Sequence, residues 1–374
     1  MTQETESSLE TGRAGQVERG WNADTATPGT RSETRAGNRP GKRRSSGSFA
    51  TRSARVRYWV ILILMVILGL AFAYIYVNVG NMAEPGTQPW KIIAARRSKT
   101  LITMLIVAVC QAMATLAFQT VTTNRILTPS IMGFESLYAV IQTGTIFVGG
   151  VAGFVAFQGT GAFLLQVGLM VALAVFLYGW LLSGKFGNLH VMLLVGIIIG
   201  TGMRSLSTFM QRTLSPSEFD VLSARMFGSL ANAKTDEPVA IILTVVTSAL
   251  LFFYSRRLNT VALGCDVAVN LGVNHKRALM WTLTLTAVLI AVSTALVGPM
   301  TFFGFLVVTL TYQPAETYDH RYTFPMAVAI GFATLSGSYV VMQNIFYAEG
   351  VVSVIIELIG GSVFLIVVLK RGRL

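Results

Sequence analysis

Apolar segments of about the length that crosses a lipid bilayer recur along almost the whole chain. A transmembrane helix needs roughly 20 mostly apolar residues to cross the hydrocarbon core. Charged residues are 12% of the chain, against about 25% in an average soluble domain. The pattern therefore predicts an all-α polytopic membrane protein with about ten transmembrane helices. The ten segments are residues 58–79, 100–121, 131–150, 161–183, 189–210, 237–254, 278–297, 300–313, 325–346 and 351–369.

The positions of the basic residues predict how the chain is oriented in the cell membrane. Lys and Arg beside short loops mark the cytosolic side, because they resist translocation. With ten spans, the clusters at 256–257, 275–277, 319–321 and 370–373 all fall on one side, and both termini lie in the cytosol. The net charge of +12 is concentrated in the N-terminal tail and in loop ends, so nucleic-acid binding is not expected.

The N-terminal tail, residues 1–56, is rich in small and polar residues and poor in large apolar ones. Such a segment cannot bury enough surface to offset its chain entropy, so it is predicted to be disordered. Its second half, from Arg39 to Arg57, is basic and can hold the N-terminus in the cytosol or rest on anionic membrane lipid. Residues 57–374 are predicted to form the transmembrane domain.

The segment Leu258–Gly272 is too polar to span the membrane and lies between two spans. The pattern predicts two short helices separated at Gly264, where the backbone can bend at low cost. Asp266 is predicted to cap the second helix, Asp266–Leu271, and Gly272 to end it. This loop has an apolar side, formed by Val267, Ala268 and Leu271. Two short helices with an apolar side, on the cytosolic face, suggest a docking site for a soluble partner.

Three ionisable residues fall within predicted spans: Glu135, Arg204 and Glu357. A charge at membrane depth is costly, so each must face a cavity or a partner. Arg204 and Glu357 are candidates for lining a translocation path, where Arg204 could attract an anionic solute. An internal ion pair that holds helices together is an equally open reading. Glu135 is placed near the cytosolic end of its span, with an interfacial role.

Nothing in the sequence indicates catalysis. Ser183-Gly184-Lys185 lacks the surrounding residues of a phosphate-binding loop, so any ATP hydrolysis must come from another chain. His190, His275 and His320 have no partners at metal-ligand spacing, so we expect no metal site and no cofactor.

A series of short motifs runs along the chain after the tail. They are Gln119 with Asn124, then 128–133 (TPSIMG), 263–268 (LGCDVA), 271–273 (LGV), 297–299 (VGP), 303–305 (FGF), 319–321 (DHR) with Pro325, and 359–364 (IGGSVF). Their order resembles the FecCD-type permeases, the membrane subunits of ATP-binding-cassette importers for iron siderophores, haem and vitamin B12. The similarity covers nearly all of the chain after the tail.

The resemblance implies a ten-span permease paired with a second permease, two cytosolic ATPases and an external substrate-binding lipoprotein. In the family, the loop matching 263–272 contacts the ATPase, and this assigns a coupling role to Leu263, Gly264, Asp266, Ala268, Leu271 and Gly272. A basic cluster matching Arg96, Arg97 and Lys99 meets acidic residues of the binding protein. The predicted topology places these two sites on opposite faces.

The sequence also departs from the family pattern. Met342 and Gln343 stand where an Arg is usual, and Asn124-Arg125 replaces Asn-Pro. These changes resemble permeases that work as one of two non-identical partners. The predicted cargo is a ferric siderophore; haem, vitamin B12 and an ion-gradient-driven transporter of a small metabolite are the alternatives.

Overall fold

The computed structural model of this chain describes residues 47–49, 51–79, 84, 86–156, 159–183, 189–226, 230, 238–346 and 352–371. Most of the predicted tail, residues 1–46, lies outside the described residues, so its predicted disorder stays a prediction. The described part of the chain contains helices and no strand.

Thirteen α-helices follow one another in the described residues. They are α1 (Arg52–Asn78), α2 (Gln88–Val121), α3 (Phe134–Ala156), α4 (Thr160–Ser183), α5 (Leu189–Gln211), α6 (Pro216–Met226), α7 (Pro238–Phe253), α8 (Ser255–Val261), α9 (Cys265–Asn270), α10 (His275–Val297), α11 (Phe303–Ala315), α12 (His320–Val341) and α13 (Val352–Arg371). A 3-10 turn, Pro129–Met132, precedes α3, and a π-helical turn, Met342–Phe346, follows α12.

Each of the ten predicted spans overlaps a helix. Among the described residues, seven helices are long and apolar enough to cross a membrane, and α7 with α8 makes an eighth if this bent pair is one span. The pair is bent by 56°. α11 has only 13 residues, or about 20 Å at 1.5 Å per residue, which is shorter than the hydrocarbon core of about 30 Å. It begins directly after an irregular turn, residues 298–302.

The core lies around α2 and α10. α10 packs on α2 and α4, α3 packs on α5, and α1 packs on α12. Most of the second half of α2 is buried, whereas α1 exposes apolar side chains such as Leu64 and Ile67, which suits a lipid-facing position.

The first helix begins five residues before the predicted end of the tail. Thr51 caps it, its side chain accepting from the backbone N–H of Ala54. Phe49 is 2% exposed and packs on the rings of Tyr58 and Tyr322, at centroid distances of 5.4 and 4.8 Å. The ordered permease therefore includes residues that the sequence assigned to the tail.

Two glycines fix the entry into α3. Gly133 has φ +95°, a left-handed conformation that favours glycine. A Cβ on Gly200 of α5 would lie 2.9 Å from the Cα of Gly133, so the two backbones meet where any side chain would be in the way. This contact holds the start of α3 against α5 and thereby sets the position of Glu135.

The polar link between α5 and α7 contains α6, whose start is a capping box. The backbone N–H and hydroxyl of Ser215 both donate to Glu218, at 2.9 and 2.7 Å. These hydrogen bonds hold the pKa of the exposed Glu218 carboxyl below its usual value. The link is thus locally organised although it is polar.

Candidate functional site

The loop between α7 and α10 folds into α8 and α9, as the sequence pattern predicts. Gly264 has φ +99° and ψ 166° and supplies the bend. It is itself the N-cap of α9, which begins at Cys265. The predicted cap at Asp266 is therefore wrong: Asp266 lies one residue inside the helix, in its first turn, and the cap position is held by a residue without a side chain.

Gly272 ends α9 with φ +80°. The N–H of Gly272 donates to the carbonyl of Val269, and the N–H of Val273 donates to that of Ala268, both at 2.9 Å. The hydrogen bond from Val273 to Ala268 is the 6→1 bond of a Schellman motif, and such a helix end needs a residue in the left-handed conformation. The predicted role of Gly272 agrees with this geometry.

The apolar side chains of this loop divide into two groups. Ala268 is fully buried against the permease, so it does not belong to an exposed apolar side as the sequence suggested. Leu263, Val267 and Leu271 are exposed by 60%, 45% and 61%. Together with Val269 they form an apolar surface, which we call the loop surface.

A polar network ties α8 to the start of α12. The Asn259 amide donates to Asp319 Oδ1 at 2.8 Å, and its oxygen accepts from the backbone N–H of His320 at 3.0 Å and lies against His320 Nδ1. Nε2 of the buried His320 lies 2.8 Å from Thr120 Oγ1 of α2. The only signal in the sequence was the Asp-His pair beside a predicted span; the partner on α8 is 60 residues away.

A second group of polar residues lies inside the bundle, about 20 Å from the α8–α9 end along α11. Thr301, in the turn before α11, donates its hydroxyl to Glu135 Oε2 at 2.7 Å. The backbone N–H of Thr301 donates to Glu357 of α13. α13 comes close to this turn, because a Cβ on Gly360 would lie 2.8 Å from that of Phe302. We call Glu135 and Glu357, which Thr301 joins, the interior carboxylate pair.

Glu135 is buried, with 7% of its surface exposed. Its predicted interfacial position in the membrane stays a prediction. Glu357 is half-buried. Arg204 of α5 is exposed on the single subunit, and both Arg204 and Glu357 interact electrostatically with Glu135. The structure therefore brings the two path candidates, Arg204 and Glu357, close enough to Glu135 to interact with its carboxyl group.

The three cations of the predicted binding-protein cluster have different surroundings. Arg97 donates to the carbonyls of Tyr76 and Val79 at 3.0 Å, where α1 ends, and its guanidinium lies 5.7 Å from the centre of the Tyr76 ring. The side-chain amide oxygen of Gln343, when turned toward α2, also accepts a hydrogen bond from the Arg97 guanidinium. Arg96 and Lys99 are exposed. Arg97 thus joins α1, α2 and the end of α12, while Arg96 and Lys99 face outward.

The comparison with protein families is decisive for the class of protein. Residues 61–370 match the model of the FecCD transport family. This chain belongs to the FecCD transport family. The family resemblance drawn from the motifs is thereby confirmed, and the chain is a multi-pass membrane permease of the type found in ATP-binding-cassette importers of iron siderophores.

Individual relatives agree with the family. The chain is 49% identical over 335 residues to the petrobactin import system permease protein FatC of Bacillus anthracis, covering 88% of this chain and 94% of FatC. It is 25% identical over 324 residues to the petrobactin import system permease protein FatD of the same organism, covering 84% of this chain and 91% of FatD.

The fold of the FecCD permease is also found in a solved structure. A chain of a metal-chelate type ABC transporter, solved in an inward-facing conformation, superposes with a TM-score of 0.71 at 23% identity, covering 84% of this chain and 99% of that one. The shared fold agrees with the all-α architecture predicted from the sequence.

Proposed function

We propose that this chain is one of two permease subunits of an importer that carries a ferric siderophore of the petrobactin class across the cytoplasmic membrane. The observation that carries the proposal is the 49% identity to FatC over nearly the full length of both chains. Haem and vitamin B12 remain alternative cargoes of the wider family, and neither is named for these two relatives.

The second permease is proposed to be a non-identical homologue. Bacillus anthracis has both FatC and FatD, each named as a petrobactin import permease, and this chain is 49% identical to one and 25% identical to the other. Because this chain is more similar to FatC than to FatD, it corresponds to the FatC subunit. Its partner would be a FatD-like chain, rather than a second copy of itself.

The loop surface is proposed to contact the cytosolic ATPase, which places the α8–α9 end and both termini in the cytosol. Leu263, Val267 and Leu271 expose apolar area beside Arg256, Arg257, Lys276 and Arg277. Such a surface is too polar for lipid and suits a protein groove with acidic edges. At the opposite end, Arg96 and Lys99 are proposed to meet acidic residues of the external binding lipoprotein.

The interior carboxylate pair and Arg204 are proposed to lie beside the translocation path. Arg204 is exposed on the single subunit although it lies in a spanning helix, and a lipid-facing guanidinium there would be costly. A water-filled path shared with the second permease supplies a suitable environment, in which Arg204 attracts an anionic chelate.

Uptake of radioactive iron into proteoliposomes tests the cargo. The vesicles contain this chain with its FatD-like partner and ATPase, and ferric petrobactin, haem and vitamin B12 compete for uptake. We expect ATP-dependent uptake that only the siderophore suppresses. Equal competition by haem would contradict the proposed cargo, and uptake by this chain without a second permease gene product would contradict the heterodimer.

The path assignment is tested with Arg204→Met, compared with Arg212→Met, which removes an exposed Arg just beyond the end of the same helix. We expect Arg204→Met to lower uptake at least several-fold with normal protein levels and Arg212→Met to leave it unchanged. Intact uptake in Arg204→Met would contradict the proposal that Arg204 lies beside the translocation path.

A further inference from the structure

A cavity of about 570 Å³ opens at the α8–α9 end of the bundle, directly beside the loop surface. Its walls are the end of α2, helix α8, the connection between α11 and α12, and Ser48 ahead of α1. Ala262 and Leu263, at the bend into α9, line it too. The volume lies within the range of sites that hold a ligand or a protruding protein segment.

The floor of this cavity contains a side chain without partners. Gln119 is 2% exposed, and neither the oxygen nor the nitrogen of its amide has a hydrogen-bond partner among the described residues. A buried polar group is normally paired. An occupant that offers both a donor and an acceptor, as a peptide group does, satisfies both ends of this amide.

One wall of the cavity carries a positioned cation. The guanidinium of Arg125 lies 4.6 Å from the ring centre of Tyr312 and 5.6 Å from that of Tyr318. Both tyrosines line the cavity. Among the described residues, no carboxylate lies within ion-pair distance of Arg125. An arginine held flat against rings keeps its N–H edge available for a carboxylate, which it binds with two parallel hydrogen bonds.

The acidic residue of the cavity is already occupied. Asp319 accepts from the hydroxyl of Ser48 at 2.7 Å and from the amide of Asn259 at 2.8 Å, and it caps α12 by accepting from the N–H of Arg321. The cavity therefore favours an acidic occupant over a basic one. The part of the chain's own tail that adjoins the cavity, residues 39–57, is basic and does not fit it.

We propose that this cavity is a second docking site for the cytosolic ATPase and receives a loop of that subunit with an acidic side chain that pairs with Arg125. The inference rests on the proposed function and adds to it a specific polar contact beside the apolar one. The cavity is continuous with the loop surface through Leu263, so one partner covers both. The ATPase is then held by an apolar contact on α9 and by a charged contact on the end of α2.

Photo-crosslinking in the full complex tests this placement. Tyr318 and Tyr74 are 74% and 70% exposed and can each be replaced by p-benzoyl-phenylalanine. We expect the probe at Tyr318 to crosslink to the ATPase and the probe at Tyr74, on the lipid-facing side of α1, not to. A third probe at Leu271 reports on the loop surface. Crosslinking at Leu271 but not at Tyr318 overturns only the present inference, and no crosslinking at either position overturns the proposed ATPase contact as well.

Charge reversal tests the role of Arg125. Arg125→Glu is expected to weaken association of the ATPase with the permease at least about tenfold, as loss of a close charge pair does, and Arg52→Glu, a matched reversal at the start of α1, is expected to leave it unchanged. Suppression of Arg125→Glu by an Asp→Lys or Glu→Lys change in the ATPase would support the pair directly. Unchanged association, or crosslinks from Tyr318 only to the tail or to an added solute, would overturn the proposal.

Discussion

Thr301 binds two carboxylates through two different groups, its hydroxyl to Glu135 and its backbone N–H to Glu357. Only the first depends on the side chain. Thr301→Val keeps the shape of the residue and removes the donor, and a hydrogen bond to a charged group is worth about 1.5–3 kcal/mol. We predict a lower thermal midpoint of the purified permease and reduced iron uptake.

Two further variants make the Thr301 result specific. Thr301→Ser keeps the hydroxyl and should retain both properties. Thr311→Val removes a buried hydroxyl that donates within its own helix, to the carbonyl of Val307, and should have little effect on uptake. Similar losses in Thr301→Val and Thr311→Val would mean that the bond to Glu135 has no special role.

Arg97 and Arg96 are adjacent in sequence, but we predict that Arg97 stabilises the permease and that Arg96 contacts the binding protein. Arg97→Met leaves the carbonyls at the end of α1 without their donor and removes a cation from a helix C-terminus, at a cost of about 1–2 kcal/mol. It should lower the stability of the permease measured by thermal unfolding in detergent. Arg96→Met should leave stability unchanged and slow association of the binding protein, with reduced salt dependence.

The opposite pattern would contradict this division. If Arg97→Met alone weakens binding-protein association while the melting midpoint stays constant, Arg97 faces the partner and the bonds to α1 are dispensable.

The sequence identified individual functional residues better than it identified the contacts between them. Arg204 and Glu357 were identifiable as candidate functional residues, because a charge within an apolar span needs a partner or a cavity. Thr301 was not, because a threonine in a turn carries no signal, and its partner Glu135 is 166 residues away. Likewise Arg97 was read as part of an outward cluster, since the carbonyls it binds are main-chain groups that no residue pattern displays.

Among the elements, the α8–α9 pair depends most on one backbone angle. Gly264 has φ +99°, and no neighbouring atom lies within 4 Å of the position that a Cβ would take there. Any cost of substitution therefore comes from the backbone rather than from crowding. Gly264→Val should introduce about 1–3 kcal/mol of strain and misdirect α9. We predict loss of substrate-stimulated ATP hydrolysis in the reconstituted complex, with normal membrane insertion.

Gly179→Val in α4 is the matched control, because Gly179 also has open space around it but is helical. It should preserve stimulated hydrolysis. Full stimulation in Gly264→Val would remove the main support for ATPase contact at this loop.

The local pattern indicated the two short helices and their closing glycine, because bends and helix ends are governed by residues close in sequence. It misplaced the cap, since Asp266 and Gly264 are both common near helix starts and only the backbone decides between them. As Asp266 lies in the first turn, Asp266→Ala removes a favourable charge near the helix N-terminus, worth about 0.3–1 kcal/mol, rather than a capping hydrogen bond.

For the whole molecule, the boundary of the ordered domain can be tested by deletion. Removing residues 1–46 should leave uptake near normal, because this segment is poor in large apolar residues and lacks a stretch able to pack. Extending the deletion through Phe49 also removes a side chain buried between Tyr58 and Tyr322, as well as the Ser48 contacts with Asp319 and Thr317. We predict a clear loss of thermal stability in the longer deletion only.

Phe49→Ala in the full-length chain is the control that separates packing from length. It should reproduce most of the loss of stability. If the shorter deletion already abolishes uptake while insertion is normal, the tail has a role in transport that its composition does not indicate.

The positions of the long helices were predictable from hydropathy, because lipid demands continuous helices of apolar residues. The interruptions were not. The 3-10 turn before α3 and the irregular turn before α11 contain apolar residues, so the predicted spans 131–150 and 300–313 began within them. Which backbone is irregular at membrane depth is decided by contacts such as that of Gly133 with Gly200, which join distant parts of the chain.

The hydrogen bond from the Tyr58 hydroxyl to the carbonyl of Tyr322 joins residues 264 apart in the sequence. This separation determines how long after its synthesis α1 can first pack on α12. At about 5–20 residues per second, the ribosome needs roughly 13–50 s to make the intervening chain. During that interval the first helix is inserted in the bilayer without the neighbour on which it packs. Nascent chains that stop before α12 should therefore leave α1 unassembled and open to membrane proteases, and the protein's vulnerable period in the cell ends only when its twelfth helix emerges.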